Sequence, residues 1–304
     1  MWLPGFLRGR FERLITMVSK GTPLPRLYDG QLFPPGHFYS PVPDLADVRA
    51  RHDDIFDRER PVPGIDLREG EQIALFRSIA PMASELPFTM QPSGDHRYWF
   101  DNGWFTYGDG VTYAMLLRAF PPRRVVEIGS GFSSALLLDV NDLFFDRRIK
   151  CAFIEPHPER LRSLLREGDD ACFQLIDKPL QSVGMSPFES LEHGDIVFID
   201  STHVAKTGSD VEWLFRELIP SLSVGVLVHF HDIFYPFEYP AEWVLEGRGW
   251  NEIYVLRSFL QFNDAFEIYL FPNFLTYKHP TVITESCPRM LADPGASIWL
   301  RRVR

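Results

Sequence analysis

The most constraining feature of this sequence is an alternation of short apolar segments with helical patterns, which begins at residue 121. Apolar segments typical of buried strands lie at 124–128, 150–154, 172–176, 195–199 and 225–230. Helical patterns lie between them, at about 132–145, 158–167 and 208–222. Right-handed crossovers between such units place the strands side by side in a parallel sheet with helices on both faces. The pattern therefore predicts an α/β fold.

Two more strands, at 266–271 and 297–303, follow a helical pattern near 251–263. The complete prediction is a doubly wound, mostly parallel seven-stranded sheet that forms a catalytic domain over residues 121–304. In such a sheet the ligand binds outside the carboxyl ends of the strands, where the strand order reverses.

Residues 1–120 lack this strand–helix alternation and are predicted to form an N-terminal cap or lid over the ligand site. Pro-x-Pro occurs at 23–25, 41–43 and 61–63, which favours extended loops over an independent core. Clear helical patterns lie at about 68–86 and 109–120, with an aromatic-rich stretch at 98–105 before the second. The apolar spacing at 5–19 is typical of an amphipathic helix, which could pack on the protein or lie on a membrane surface.

Composition excludes several classes of protein. The 304 residues carry a net charge of −10, which argues against a nucleic-acid partner. No apolar run approaches the roughly 18 residues that a membrane-spanning helix needs. The three cysteines form no Cys-x-x-Cys pair, which is typical of small buried side chains in a reducing compartment. We expect a cytoplasmic protein without integral membrane contact, and its state as a monomer or homo-oligomer stays open.

The strongest local motif joins a strand to a glycine turn, in Glu127-Ile128-Gly129-Ser130-Gly131. Such a turn lets a ligand approach the backbone closely. Two details argue against a dinucleotide ligand. Ser134 stands where the dinucleotide-binding motif Gly-x-Gly-x-x-Gly has its third glycine, and Glu127 would repel a pyrophosphate but suit an ammonium group. Glu155 ends the next strand, where this fold places a carboxylate on ribose hydroxyls.

With these residues the sequence resembles the class I S-adenosylmethionine-dependent methyltransferases over roughly residues 105–303. The resemblance implies S-adenosylmethionine as cofactor, with the glycine loop around its methionine part and Glu155 on its ribose. It also implies that a residue within Asp177–Gln181 borders the adenine. Ser133 replaces the last glycine of the commoner family motif. Two segments, Asp200–His203 and His229–Phe234, resemble a bacterial branch near the sugar and natural-product O-methyltransferases.

Four polar residues are predicted to converge beside the transferable methyl group. Asp200 and His203 follow the fourth strand, and His231 and Asp232 follow the fifth. His203 is the predicted general base for a hydroxyl or amine. Alternatively, a divalent cation such as Mg²⁺, with Asp200, His231 and Asp232 as candidate ligands, could activate the acceptor. His229 is interpreted as a core histidine.

The leading hypothesis is methyl transfer to a small-molecule acceptor, with a hydroxyl oxygen favoured over nitrogen. The aromatic and acidic residues of segment 235–252 favour a polar acceptor such as a sugar or natural product. Two alternatives stay open. The first is a nicotinamide-dependent oxidoreductase, which would require the third glycine of the dinucleotide motif and a Tyr-x-x-x-Lys relay, and both are missing here. The second is a non-catalytic nucleotide-binding protein, which would not need Asp200 and His203.

Overall fold

The computed structural model describes residues 32–304, which cluster into two compact units. One contains residues 32–55 together with 241–249, and the other contains residues 56–240 and 250–304. The amphipathic pattern at 5–19 lies outside the described residues. The role predicted for residues 1–120 as a lid stays a prediction.

The larger unit is built on the seven-stranded sheet that the sequence predicts. Its strands are β1 (Arg124–Ile128), β2 (Lys150–Ile154), β3 (Phe173–Ile176), β4 (Ile196–Ile199), β5 (Leu227–Phe230), β6 (Phe266–Leu270) and β7 (Ile298–Arg302). They lie in the order β3-β2-β1-β4-β5-β7-β6. β1 to β5 pair in parallel, and β7 runs antiparallel to both β5 and β6. The doubly wound, mostly parallel sheet is confirmed.

The strand order reverses between β1 and β4, which places the expected ligand crevice at their carboxyl ends. All four residues of β4 and of β5 are buried, as expected for central strands covered on both faces. The main-chain amide of Asp200 donates to the carbonyl of Ile128 at 2.8 Å, and that of His231 donates to Ile199 at 2.9 Å. The segments after β1, β4 and β5 therefore leave the sheet side by side.

The described helices include counterparts of every helix predicted between residues 68 and 263, together with five short helices that were not predicted. In chain order the helices are α1 (Leu45–Ala50), α2 (His52–Ile55), α3 (Glu69–Ile79), α4 (Tyr107–Ala119), α5 (Phe132–Phe145), α6 (Glu159–Leu164), α7 (Asp210–Trp213), α8 (Ile219–Ser221), α9 (Ala241–Leu245), α10 (Glu252–Leu260), α11 (Pro272–Lys278) and α12 (Pro280–Ser286). α3 continues as a 3₁₀ helix over Ala80–Glu85, and a π-helical turn over Leu214–Leu218 joins α7 to α8. Within residues 32–304, no helix is both long and apolar enough to cross a lipid bilayer.

The helix predicted at 208–222 is interrupted by the π-helical turn at Leu214–Leu218. Pro220 has no amide proton, so it cannot donate to the carbonyl four residues earlier. The irregular turn that precedes it keeps Leu214 and Leu218 buried against the sheet.

The segment that precedes the sheet is fixed to α5 by a buried ionic cluster. The guanidinium of Arg97, 4% exposed, contacts Asp139 at 2.7 Å and Asp169 at 2.5 Å. A third carboxylate, that of Asp142, lies at 2.9 Å. A buried arginine requires such partners, because an uncompensated charge in the interior is costly.

Candidate functional site

The carboxyl ends of β4 and β5 bring the predicted polar residues together. Asp200 follows β4 directly, and His231 and Asp232 follow β5 directly. His203 and Asp232 both have positive φ angles, 58° and 57°. This left-handed backbone turns both segments sharply, and both side chains belong to one cluster.

His203 is the centre of that cluster. Its Nε2 atom lies 3.4 Å from a carboxylate oxygen of Asp200 and 3.4 Å from one of Asp232. The imidazole is buried, 5% exposed, and contacts the indole of Trp250 with ring centroids 4.4 Å apart and the ring planes tilted by 39°. Both carboxylates therefore converge on one nitrogen of a ring that has little freedom to move.

The other ring nitrogen of His203 is held by Glu252, a residue that sequence analysis missed. Nδ1 lies 2.8 Å from Oε2 of Glu252, a carboxylate that is 1% exposed. The hydroxyl of Ser201 donates to the second oxygen of Glu252 at 3.2 Å. Since a carboxylate only accepts hydrogen bonds, Nδ1 carries the proton, and Nε2 faces Asp200 and Asp232.

The loop that carries His203 is fixed at a second point by Asp210. This carboxylate accepts hydrogen bonds from the main-chain amide and the hydroxyl of Thr202, at 3.0 and 2.6 Å. The main-chain oxygen of His203 in turn accepts from the amide of Glu252 at 3.1 Å. The start of α10 and the end of β4 are thus bonded through both side chain and main chain.

His231 lies on the interior side of the cluster. Its Nε2 is 3.6 Å from Asp232, and its Nδ1 is buried without a hydrogen-bond partner among the described residues. His229, on the same strand, is fully buried, where it stacks on Phe198 at 3.7 Å and bonds Ser297 at 2.8 Å. His229 is therefore a core histidine, whereas His231 borders the cluster.

The electrostatics of the cluster follow from these contacts. Burial opposes a charge on His203, but hydrogen bonds with Asp200 and Glu252 outweigh it and raise the pKa of the ring well above its ordinary value. Burial likewise opposes ionisation of Asp200, yet the charges of His231 and His203 lower its pKa to about 2. The pKa of His231 is raised by Asp232 and Asp200 against the effect of burial. The arrangement thus holds Asp200 ionised and favours a positive charge on the two imidazoles beside it.

A second part of the site is the turn that follows β1. Gly129 has φ 79°, and a Cβ atom there would lie 1.8 Å from the main-chain oxygen of Asp200. Only glycine permits this close approach, so the turn and the Asp200 segment are packed directly together. The amide of Ser130 donates to Glu155 at 2.9 Å, and the amide of His157 donates to its other oxygen at 2.8 Å. Glu155 therefore lies against the glycine turn.

Glu127, the predicted ammonium-binding residue, is fully buried. One of its oxygens accepts a hydrogen bond from the hydroxyl of Ser133, and burial raises its pKa to about 8. Its second oxygen and the hydroxyl of Ser130 are buried with no hydrogen-bond partner among residues 32–304. Unsatisfied buried polar atoms on both sides of the turn are what a polar ligand at this place would satisfy. These residues fit the amino-acid part of S-adenosylmethionine.

Aromatic side chains border the glycine turn. The guanidinium of Arg160 lies 3.6 Å over the indole of Trp104, which is 61% exposed. Trp99 contacts Phe132, the first residue of α5, with ring centroids 4.9 Å apart. Gly131, whose backbone is extended, precedes Phe132 and lies beside Arg160. The aromatic stretch found in the sequence therefore lies next to the predicted cofactor loop.

A metal ion would find one set of ligands in the described part of the chain. Asp200, His203 and Asp232 each offer one ligand atom, and these atoms lie within 4.8 Å of one another. Two carboxylates and one imidazole suit Mn²⁺ or Mg²⁺. The set differs from the predicted candidates Asp200, His231 and Asp232, because His203 takes the place of His231.

Asp109 is a further polar residue that sequence analysis missed. It is 4% exposed and accepts hydrogen bonds from the amide of Ala296, at 2.9 Å, and from the hydroxyl of Ser297. Ser297 also bonds His229. These contacts tie α4 and β7 to the interior end of the cluster. Asp109 lies on an ordinary helical pattern, so nothing in the sequence marks it.

Comparison with known proteins supports one family. A family model described as a methyltransferase domain matches residues 126–233, a range that includes the glycine turn, Glu155 and the whole cluster at β4 and β5. An uncharacterized protein of Archaeoglobus fulgidus is 39% identical over 175 residues, which cover 55% of this chain and 77% of that protein.

Several solved structures show a distant likeness. The S-adenosylhomocysteine-bound methyltransferase PaMTH1 of Podospora anserina is 15% identical, with 90% of this chain and 100% of that one covered and a TM-score of 0.43. The mitomycin 7-O-methyltransferase MmcR is 16% identical, with 88% and 74% covered and a TM-score of 0.38. Likenesses at this distance do not indicate a substrate.

Proposed function

The chain belongs to the class I S-adenosylmethionine-dependent methyltransferases, and we propose that it methylates a hydroxyl oxygen of a small molecule with the aid of a divalent cation. The observation that carries the proposal is the position of Nε2 of His203, 3.4 Å from each of two carboxylates. Two carboxylates directed at one ring nitrogen require a positive charge between them, and a divalent cation bound to Nε2 would take the place of the proton that the ring otherwise holds there. The ring is already fixed through Nδ1 by Glu252, so it cannot turn away.

S-adenosylmethionine supplies the methyl group from its sulfonium. Glu127 and the hydroxyl of Ser130 have the unsatisfied polar atoms that would hold its amino-acid part, and Glu155 has free lone pairs for its ribose hydroxyls. Gly129 and Gly131 keep the backbone of the turn free of side chains. Asp200 joins the two parts, because its main chain packs on the glycine turn and its side chain belongs to the cluster.

A divalent cation held by Asp200, His203 and Asp232 would lower the pKa of an acceptor hydroxyl. The protein's own contribution is orientation, because Glu252 and Asp210 fix the segment that carries His203 before any ligand arrives. The indole of Trp250 packs against the imidazole and further limits its movement. His203 acts as a ligand in this proposal, and its action as a general base is the alternative that the experiment below distinguishes.

The test is direct binding of Mn²⁺, which requires no knowledge of the acceptor. Titration followed by electron paramagnetic resonance should show one Mn²⁺ per chain, with at least about tenfold weaker binding in Asp200→Asn, Asp232→Asn and His203→Gln. Asp264→Asn, which changes an exposed carboxylate paired with Arg304, is the matched control and should bind normally. Equal Mn²⁺ binding in all four variants would contradict the metal site.

Activity distinguishes the base from the ligand. Turnover of methyl-labelled cofactor against a panel of hydroxylated aromatic compounds and sugars should be abolished by EDTA and restored by Mn²⁺ or Mg²⁺. Turnover that EDTA does not change, but that falls about 10²–10⁴-fold in His203→Gln, would identify His203 as a general base instead.

A further inference from the structure

A separate cavity lies at the amino ends of β1 and β2, opposite the strand ends that carry the glycine turn. Its volume is about 340 Å³, and its lining comes from the segments that lead into β1 and β2. Because β1 runs from Arg124 to Ile128, its length of about 13 Å separates this cavity from the glycine turn. The methyltransferase site accounts for neither the cavity nor its side chains.

The lining of this cavity is strongly basic, although the whole protein has a net charge of −10. Arg123, Arg124, Arg148 and Lys150 all line it, and no acidic residue does. Arg123 pairs with Glu192 at 2.8 Å, but Glu192 does not line the cavity, and the four cations around the cavity create a local positive potential that attracts anions.

Arg124 shows why part of this charge is unsatisfied. Its Nη1 atom is buried without a hydrogen bond and lies 3.6 Å from the nearest oxygen of Asp195. Asp195 is already committed to the backbone, because it accepts from the amides of Arg123, Arg124 and Glu192 at 3.0, 2.8 and 3.0 Å. The carboxylate nearest to Arg124 therefore neutralises it only in part.

Two further cations also keep donors available. Arg148 donates its Nε to the main-chain oxygen of Phe145 at 2.8 Å, which leaves the two terminal nitrogens of its guanidinium. Within residues 32–304, the ammonium of Lys150 pairs with no carboxylate. Both side chains are exposed at the mouth of the cavity, whereas Pro122 and Ile149 are buried and Phe145 is half-buried.

We propose that this cavity is a second ligand site, which binds a small phosphorylated molecule with an apolar body. Guanidinium groups present paired donors that match the oxygens of a phosphate, and a dianion uses more than one of the cations. The apolar lining contributed by Pro122, Phe145 and Ile149 would contact the remainder of the ligand. The volume lies in the range of small-molecule sites.

The experiment uses phenyl phosphate as the probe and the full chain saturated with S-adenosylhomocysteine. Isothermal titration at low salt should show one phenyl phosphate per chain, bound more tightly than inorganic phosphate or phenol. Arg148→Gln combined with Lys150→Gln should weaken binding at least about tenfold. Arg147→Gln is the matched control: it removes the same charge from the neighbouring residue, whose guanidinium contacts Asp142 instead, and should change affinity less than about twofold.

Three results would overturn the proposal. They are the absence of binding at millimolar phenyl phosphate, an affinity that the double substitution does not change, and an affinity no better than that of inorganic phosphate. A fourth result, binding to the cofactor-free protein that is lost when S-adenosylhomocysteine is added, would also overturn it, since the probe would then occupy the cofactor crevice. None of these results depends on the identity of the methyl acceptor.

Discussion

Replacing Glu252 with Gln tests how the cluster is held in place. Glu252 is 1% exposed, and its carboxylate bonds Nδ1 of His203 at 2.8 Å and the hydroxyl of Ser201 at 3.2 Å. Gln has nearly the same size, and its oxygen can still accept from Nδ1 of His203 while its NH2 group donates to the hydroxyl of Ser201, but it removes the negative charge. A hydrogen bond to a charged group contributes about 1.5–3 kcal/mol and a neutral one about 1 kcal/mol. The change therefore weakens the interaction that orients His203 by about 0.5–2 kcal/mol.

The expected effect is selective. Residues that orient a metal ligand typically change metal affinity or activity about 10–100-fold when replaced. Mn²⁺ affinity and methyl turnover should both fall by that factor in Glu252→Gln. Affinity for S-adenosylhomocysteine, measured by titration calorimetry, should stay within about twofold, because Glu252 contacts neither the glycine turn nor Glu155 in the described structure.

The control is Glu285→Gln, which removes an exposed carboxylate paired with Arg77. Thermal unfolding of both variants checks that the fold is intact. Unchanged Mn²⁺ affinity and unchanged turnover in a folded Glu252→Gln protein would refute the orienting role. An equal loss of Mn²⁺ and S-adenosylhomocysteine binding would also refute it, since the substitution would then act through the whole site.

Three other predictions concern cofactor binding and stability. Glu155→Ala should weaken S-adenosylhomocysteine binding by about 1–3 kcal/mol in calorimetry, and unchanged affinity would remove Glu155 from the site. Burial raises the pKa of Glu127 to about 8, so the folded protein keeps a proton there that the unfolded chain releases above pH 4.5. The free energy of unfolding therefore falls as the pH rises from about 4.5 to 8. Glu127→Gln should therefore gain stability over the native protein across that range, by on the order of 3 kcal/mol at pH 8 in urea unfolding, whereas a pH-independent difference would contradict the raised pKa. Arg97→Met should lower the free energy of unfolding by about 3–5 kcal/mol, since it leaves Asp139 and Asp169 buried and unpaired; a loss below about 1 kcal/mol would show that these carboxylates are solvated.

The strands of the sheet and the helices between them could be predicted almost completely from the sequence, because the patterns that mark them are local. β1 and β2 have the predicted bounds, and the helix predicted at 132–145 is Phe132–Phe145. The glycine turn marks the start of that helix. The strand order and the antiparallel direction of β7 required the structure, since no local pattern specifies which strands become neighbours.

The cluster was predictable only in part. Asp200, His203, His231 and Asp232 follow two strands directly, so the sheet prediction alone brought them to one edge. Glu252 lies 49 residues after His203, at the start of a helix, and only tertiary packing joins the two. The choice of His203 rather than His231 as the third potential metal ligand likewise depends on the left-handed turn at residue 203. Side-chain direction of this kind is set by the backbone and cannot be read from spacing.

The most direct test of the central claim is a crystal structure of the protein with S-adenosylhomocysteine and Mn²⁺, with data collected for the anomalous signal of manganese. The account predicts S-adenosylhomocysteine against the glycine turn and Glu155, with its sulfur directed towards the cluster. It also predicts an anomalous peak bonded to Asp200, His203 and Asp232. A sulfur that faces away from these residues, or manganese bound elsewhere with the three side chains unchanged, would contradict the proposed mechanism.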